Sequence, residues 1–348
     1  MKNLDRKTTM RCPNVNELPL PPVGKTGWPW TEGTPQASEC LPDNKPWPKI
    51  SITTPNYNCG QFLEETIRSI LLQGYPNLEY FIIDGGSTDD SLAIIKKYTR
   101  WITYWVSEPD QGQAHAINKG FARSLGEVVQ WINSDDLLTP NAILEVGRLA
   151  GKNAGAMIGG GCEWFGQDVH PQVVHNQRLT RADMIAFWRR KAIYWQPSLY
   201  VPREALAVCG LVDETLRYCF DLDWYIRLLS HFPVVYTARI LSRFRLHPLS
   251  KSCAESRNMG QEALVVSERY WSEIGWAQAQ RESAAFCRKE AKMEAWKIAL
   301  SRITKSELHR IKAVLGILSQ AIQSPWRLVQ RETWGMILRT LARGIYSW

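Results

Sequence analysis

The chain has 348 residues, 22% charged and 45% hydrophobic, an ordinary globular profile with room for one large or two modest domains. A net charge of +8 suits an anionic partner, whether nucleoside diphosphate, acidic lipid or nucleic acid, and the 16 tryptophans suit sugar stacking, an interface or a membrane surface. Eight scattered cysteines with no Cys-x-x-Cys pair exclude the usual zinc spacings, and no secretory h-region or apolar run of about 18 residues occurs; the expectation is a cytoplasmic protein, soluble or peripheral.

Residues 1–48 are interrupted by Pro22, Gly24, Gly27, Pro29, Pro35, Pro42, Pro46 and Pro48, so neither a long helix nor a central strand fits them. Trp28, Trp30 and Trp47 are too apolar for a free tail, and an extended arm lying on the folded body is expected. From Lys49 the pattern is strand and helix in alternation. Strands are predicted over Ile50–Thr54, Leu78–Ile83, Ile102–Val106 and Val128–Ile132. The helices between them are Gly60–Gln73, with Phe62, Ile67, Ile70 and Leu71 as its apolar face, then Ser91–Tyr98 and Ala114–Ser124. Such alternation implies a mostly parallel sheet covered by helices.

The polar clusters Asn56-Tyr57-Asn58, Asp84, Glu108–Asp110 and Asp135-Asp136 all follow strands. They therefore share the rim where open α/β sheets bind nucleotides. The turn after the first strand is Pro55-Asn-Tyr-Asn58, with no glycine-rich phosphate cradle, and no P-loop is present. A bound diphosphate would then need a metal. The adjacent carboxylates Asp135 and Asp136 offer hard oxygens that suit Mg²⁺ or Mn²⁺. Taken alone, the pair fits equally an Asp-rich turn capping the next helix.

In order and at ordinary spacing, Ser51-Ile-Thr-Thr-Pro-Asn-Tyr-Asn58, Asp84-Gly-Gly-Ser-Thr-Asp-Asp-Ser91, Ser107-Glu-Pro-Asp-Gln-Gly112 and Asn133-Ser-Asp-Asp136 resemble the motifs of family 2 glycosyltransferases. The resemblance runs from about Lys49 to about Ser252. It implies an inverting enzyme of the GT-A nucleotide-sugar-binding fold, α/β with a mostly parallel central sheet. Pro55, Tyr57 and Asp84 would line the base and ribose pocket, and Asp135 would sit near the ribose or metal. Asp136 would be the principal metal ligand, with Ser134 in place of the motif's usual first Asp. Lys119 would meet the donor phosphates or simply face solvent. Asp89 and Asp90 read as caps of the helix from Ser91.

Inverting transfer needs a general base. Within Tyr218-Cys-Phe-Asp-Leu-Asp-Trp-Tyr-Ile-Arg-Leu228, Asp221 matches the family's catalytic Asp, while Asp223 reads as a helix acid paired with Arg227 at i+4. Trp195 and Gln196 resemble the segment bordering the sugar, although a core role fits Trp195 equally. Arg245-Leu-His-Pro-Leu-Ser-Lys-Ser252 resembles the segment that closes such sites, with His247 as a metal or diphosphate ligand and Arg245, Ser250 or Lys251 as phosphate ligands.

Beyond residue 255 the patterns are helical. Residues 301–348 hold eight Lys and Arg against two Glu, with Trp334, Ile337, Leu338, Leu341 and Ile345 on one face. That basic amphipathic pattern suits the inner face of the plasma membrane, or equally a helix packed on the catalytic domain or on another subunit. Nucleic acid is not an expected partner, because no recognition motif accompanies the charge. The expected organisation is an arm over 1–48, a GT-A catalytic domain over 49–254 and a basic helical region over 255–348. The expected activity is metal-dependent transfer from a nucleoside-diphosphate sugar, with UDP as the expected carrier, to a saccharide or lipid-linked acceptor. Nucleotidyl transfer, or nucleotide-sugar binding without turnover, is the alternative.

Overall fold

The computed structural model describes residues 11–167, 169–176, 179–191 and 194–303. Its first half alternates β1 (Ile50–Asn56), α1 (Gly60–Leu71), β2 (Leu78–Asp84), α2 (Ser91–Tyr98), β3 (Tyr104–Ser107), α3 (Gln113–Phe121) and β4 (Val128–Trp131). Strand β3 starts two residues later than its apolar run, because Thr99–Trp101 closes α2 with a 3₁₀ turn. The chain continues through β5 (Leu137–Leu138), α4 (Ala142–Lys152), β6 (Met157–Phe165), β7 (Gln172–His175), α5 (Arg181–Ile185) and β8 (Leu199–Pro202). It then forms α6 (Ala205–Val208), α7 (Phe220–Leu228), β9 (Val234–Arg245), α8 (Lys251–Ala254), α9 (Ser256–Glu268), α10 (Trp271–Ile274) and α11 (Trp276–Ile303).

The sheet order is β3-β2-β1-β4-β8-β6-β9-β5, with β7 paired to β6. Strands β3, β2, β1 and β4 run parallel, with Ile50 opposite both Leu78 and Val128. Beyond β4 the sheet is mixed: β8 is antiparallel to β4 and β6, and β6 is parallel to β9. The central strands β1 and β2 are buried along their whole length, as expected of strands covered on both faces. Leu63, Ile67, Ile70 and Leu71 of α1 are fully buried at helical spacing, each worth roughly 1.5–3 kcal/mol. Phe62 leaves that face and lies instead against Arg245 and His247.

The Pro- and Trp-rich arm is bound at the end of α1. The arm supplies backbone donors to the C-cap of α1 and to the turn that follows it. Thr34 N bonds Leu72 O, Ala37 N bonds Gly74 O and Cys12 N bonds Tyr75 O, all at 2.9 Å. Gly74 sits at φ +62, and a Cβ there would lie 2.2 Å from Pro35 O. Fully buried Arg68 donates to Pro19 O, Pro29 O and Trp30 O, and to Tyr98 Oη.

A compact unit runs as far as Trp276, and a second begins at Ala277. Among the described residues no helix is long and apolar enough to cross a membrane. The basic pattern of 304–348 lies outside the described residues.

Candidate active site

The carboxyl ends of β1 to β4 form one rim, and its scaffold is Asp84. This side chain is fully buried. Its Oδ1 accepts from Asn56 Nδ2 (2.7 Å) and Ser87 Oγ (2.5 Å), and its Oδ2 from Ser87 N (3.0 Å) and Ser107 Oγ (2.6 Å). With two donors on each oxygen, Asp84, expected to line the base and ribose pocket, ties together the ends of β1, β2 and β3. Pro55 is buried within β1, opposite Ile83, while Tyr57 is 65% exposed above the rim. Asp89 caps two helices at once, accepting from Ser91 N and Gly60 N, whereas Asp90 makes no side-chain cap.

The adjacent carboxylates after β4 divide their roles. Asp136 is only 1% exposed. Its Oδ1 accepts from Arg245 N (3.0 Å) and its Oδ2 from Asn133 Nδ2 (3.1 Å). Burial, and then the charge of Asp135, hold its pKa well above the usual carboxylate range. Asp135 turns outward instead, with Oδ2 3.0 Å from His247 Nε2. Asp136 is the residue expected as the principal metal ligand. Its oxygens face protein donors, and the oxygen that meets the imidazole belongs to Asp135. Among the described residues no third His, Cys, Asp or Glu joins the pair to make a protein-only metal site.

Three expected phosphate ligands have protein partners. The Lys119 ammonium lies 3.0 Å from Glu108 Oε1. Arg245 donates to Asp135 O and Glu65 Oε2, at 2.8 Å each, between the rings of Phe62 and Phe165. Lys251 donates to Gln113 Oε1 (2.9 Å), and Gln113 Nε2 donates to Asn133 Oδ1 (2.8 Å). Desolvation, followed by the nearby Arg217 charge, lowers the Lys251 pKa.

Asp221 is the second residue of α7. Phe220, just before it, packs against Trp131, the last residue of β4, with ring centroids 6.2 Å apart. That contact brings the base candidate to the rim. Asp221 is half-buried, accepts from Leu222 N (2.7 Å) and hydrogen-bonds to Tyr194. Desolvation pushes its pKa up to about 6, against the lowering effect of those two bonds. Asp223 is committed elsewhere: it is 2% exposed and bound to Arg227 (2.9 Å), Arg269 (3.2 Å) and Tyr270 Oη (2.9 Å).

Gln196, expected to contact sugar, is buried, and its Nε2 donates to Trp131 O at 2.7 Å. It locks the turn before β8 onto β4. Trp195 packs edge-on to Trp164 (4.8 Å) and against Phe244 (5.5 Å). Sequence reasoning missed Gln113 and Tyr194. Gln113 stood beside a recognised motif, but no local pattern pointed to Tyr194.

Residues 51–208 match the family model described as Glycosyl transferase family 2. That span holds Asp135 and Asp136 and ends before Asp221 and His247. An uncharacterised glycosyltransferase of Rickettsia typhi is 29% identical over 231 residues, covering 65% of this chain and 71% of that protein. A second, from Rickettsia prowazekii, is 27% identical with the same coverage. The solved structure of S. aureus TarS 1–349 in complex with UDP is similar at TM-score 0.51 and 16% identity, over 69% of this chain and 70% of that one. Mannosyltransferase PcManGT from Pyrobaculum calidifontis, in complex with GDP-Man and Mn²⁺, gives 0.50 and 16% over 92% and 91%. At such identities the likeness is one of fold.

Proposed function

Through residues 51–208 the chain belongs to glycosyltransferase family 2, and from that premise we propose that it transfers a hexosyl group, with inversion, from a nucleoside-diphosphate sugar to a saccharide or lipid-linked hydroxyl. The observation that carries the reading is the approach of Asp135 Oδ2 to His247 Nε2, 3.0 Å apart beyond the carboxyl end of β4. Both side chains are partly accessible, at 23% and 15%.

The carboxylate oxygen and imidazole nitrogen fit a divalent cation, Mn²⁺ or Mg²⁺, whose remaining positions donor diphosphate and water would fill. When bound, the metal offsets the charge gathering on the departing nucleoside diphosphate. The protein's own groups do the rest. Tyr57 offers an exposed ring to the base, and the loops that Asp84 ties together shape the pocket around it. Asp221, with its pKa near 6, is ionised at neutral pH yet basic enough to take the acceptor's proton. The acceptor oxygen then bonds to the anomeric carbon as the bond to the diphosphate oxygen breaks. Trp195 provides an apolar wall on the acceptor side. We place this work at the inner face of the plasma membrane, in cell-surface polysaccharide or glycolipid assembly, a setting supported by the basic pattern of residues 301–348.

The test is a thermal-shift panel of UDP, GDP, dTDP and CDP, each with Mn²⁺ and with EDTA. A diphosphate at about a hundred times its dissociation constant stabilises by roughly 2.7 kcal/mol. One diphosphate should raise the melting temperature, and the rise should vanish in EDTA. No response to any of the four would overturn the donor site.

A further inference from the structure

The turn that delivers Asp221 to the rim is held from a distant helix. Three consecutive backbone N–H groups converge on the Glu262 carboxylate of α9: Arg217 N at 2.9 Å, and Tyr218 N and Cys219 N at 2.6 Å each. Cys219 is the N-cap residue of α7, two before Asp221. A carboxylate accepting three N–H bonds from successive residues fixes their orientation, because each bond is directional and charge-assisted. Glu255 steadies the same turn through Arg217 and the Tyr218 hydroxyl, and Lys251 donates to Arg217 O. The segment after His247 therefore reaches from the metal side of the rim to the base.

We propose that Glu262 is a positioning residue for the base, setting both the place of Asp221 and the charge it experiences. The proposal rests on Asp221 being the base. The groups facing Asp221 are Tyr194 from the loop before β8, Cys219 and Tyr225 around α7, and Glu262 from α9. Tyr194 stabilises the ionised carboxylate by a hydrogen bond, while Glu262 opposes ionisation through space. A base tuned towards neutral pH thus owes part of its strength to a helix beyond the family-matched span.

The test uses the full chain. The Asp221 carboxyl carbon, assigned by its loss in Asp221→Asn, is titrated by ¹³C NMR in the native protein and in Glu262→Gln. Removing the charge should lower the midpoint. In Glu262→Ala, amide exchange at Arg217–Cys219 should accelerate. Release of UDP or GDP from UDP-GlcNAc or GDP-mannose, with water as acceptor, should lose roughly ten- to a hundredfold in kcat at an unchanged donor KM. An unmoved midpoint in Glu262→Gln, or unchanged exchange in Glu262→Ala, overturns the proposal. Turnover retained in Asp221→Asn would remove the base reading instead, and that variant separates the two failures.

Discussion

Replacing Asp221 by Asn should abolish transfer and yet make the protein more stable at neutral pH. The native carboxyl titrates at about 6 against an ordinary 3.8, because burial penalises its charged form. That gap corresponds to about 3 kcal/mol, an upper limit for a half-buried group. The sign follows from the raised folded-state value. Below about pH 3.8 the group is protonated whether folded or unfolded and costs nothing, and the penalty grows as pH rises through 6. The variant should therefore match the native protein near pH 4 and melt up to roughly 6–12 °C higher at pH 7.5, since 1 kcal/mol moves a unit of this size by about 2–4 °C. Calorimetry at the two pH values measures this. Native turnover supplies a second check. At pH 5 about a tenth of a group with pKa 6 is ionised, so kcat should fall about tenfold from its plateau, whereas an ordinary carboxylate would lose less than a tenth. A melting difference independent of pH, or turnover flat down to pH 5, would refute the reasoning.

The divided carboxylate pair predicts opposite fates for two similar variants. Asp135→Asn should lose the Mn²⁺-dependent diphosphate shift, whereas Asp136→Asn, which keeps an acceptor for Arg245 N, should retain most of it; the reverse result in the thermal-shift panel would return the metal to Asp136. Arg68→Ala removes the donor to three arm carbonyls and leaves those of Pro29 and Trp30 buried without it. It should cost about 3–5 kcal/mol and expose the arm to limited proteolysis. An arm that stays protected in this variant would mean that the backbone bonds to Leu72, Gly74 and Tyr75 suffice.

Much of the first half was legible because its signals are local. An apolar run, a capping turn and a helical spacing each lie within about ten residues, so β1 to β4 and the helices between them follow from the chain itself. The mixed half of the sheet was not. Strand β6 takes β9 as a parallel neighbour across some seventy residues of sequence, and its glycine-rich stretch Gly159–Gly161 carries no period-two signal.

The site divides along the same line. Sequence order brought Asp135, Asp136, Asp221 and His247 into one argument, since each follows or opens an element on a common rim. Adjacent Asp135 and Asp136 are alike as sequence. Only the fold decides that Arg245, 109 positions from Asp136, offers its N–H to the latter, while His247 meets the former. Lys119 and Gln196 carried polar groups suited to a ligand, and tertiary neighbours took them up first. The pKa of Asp221 is the clearest case. Its place in a motif is readable, but its pKa depends on solvent exclusion, Tyr194 and Glu262, brought to it from distant parts of the chain. Hydrophobic period and turn chemistry are encoded within a few neighbouring residues. Burial, electrostatic field and the competition for each hydrogen bond exist only once remote segments have packed.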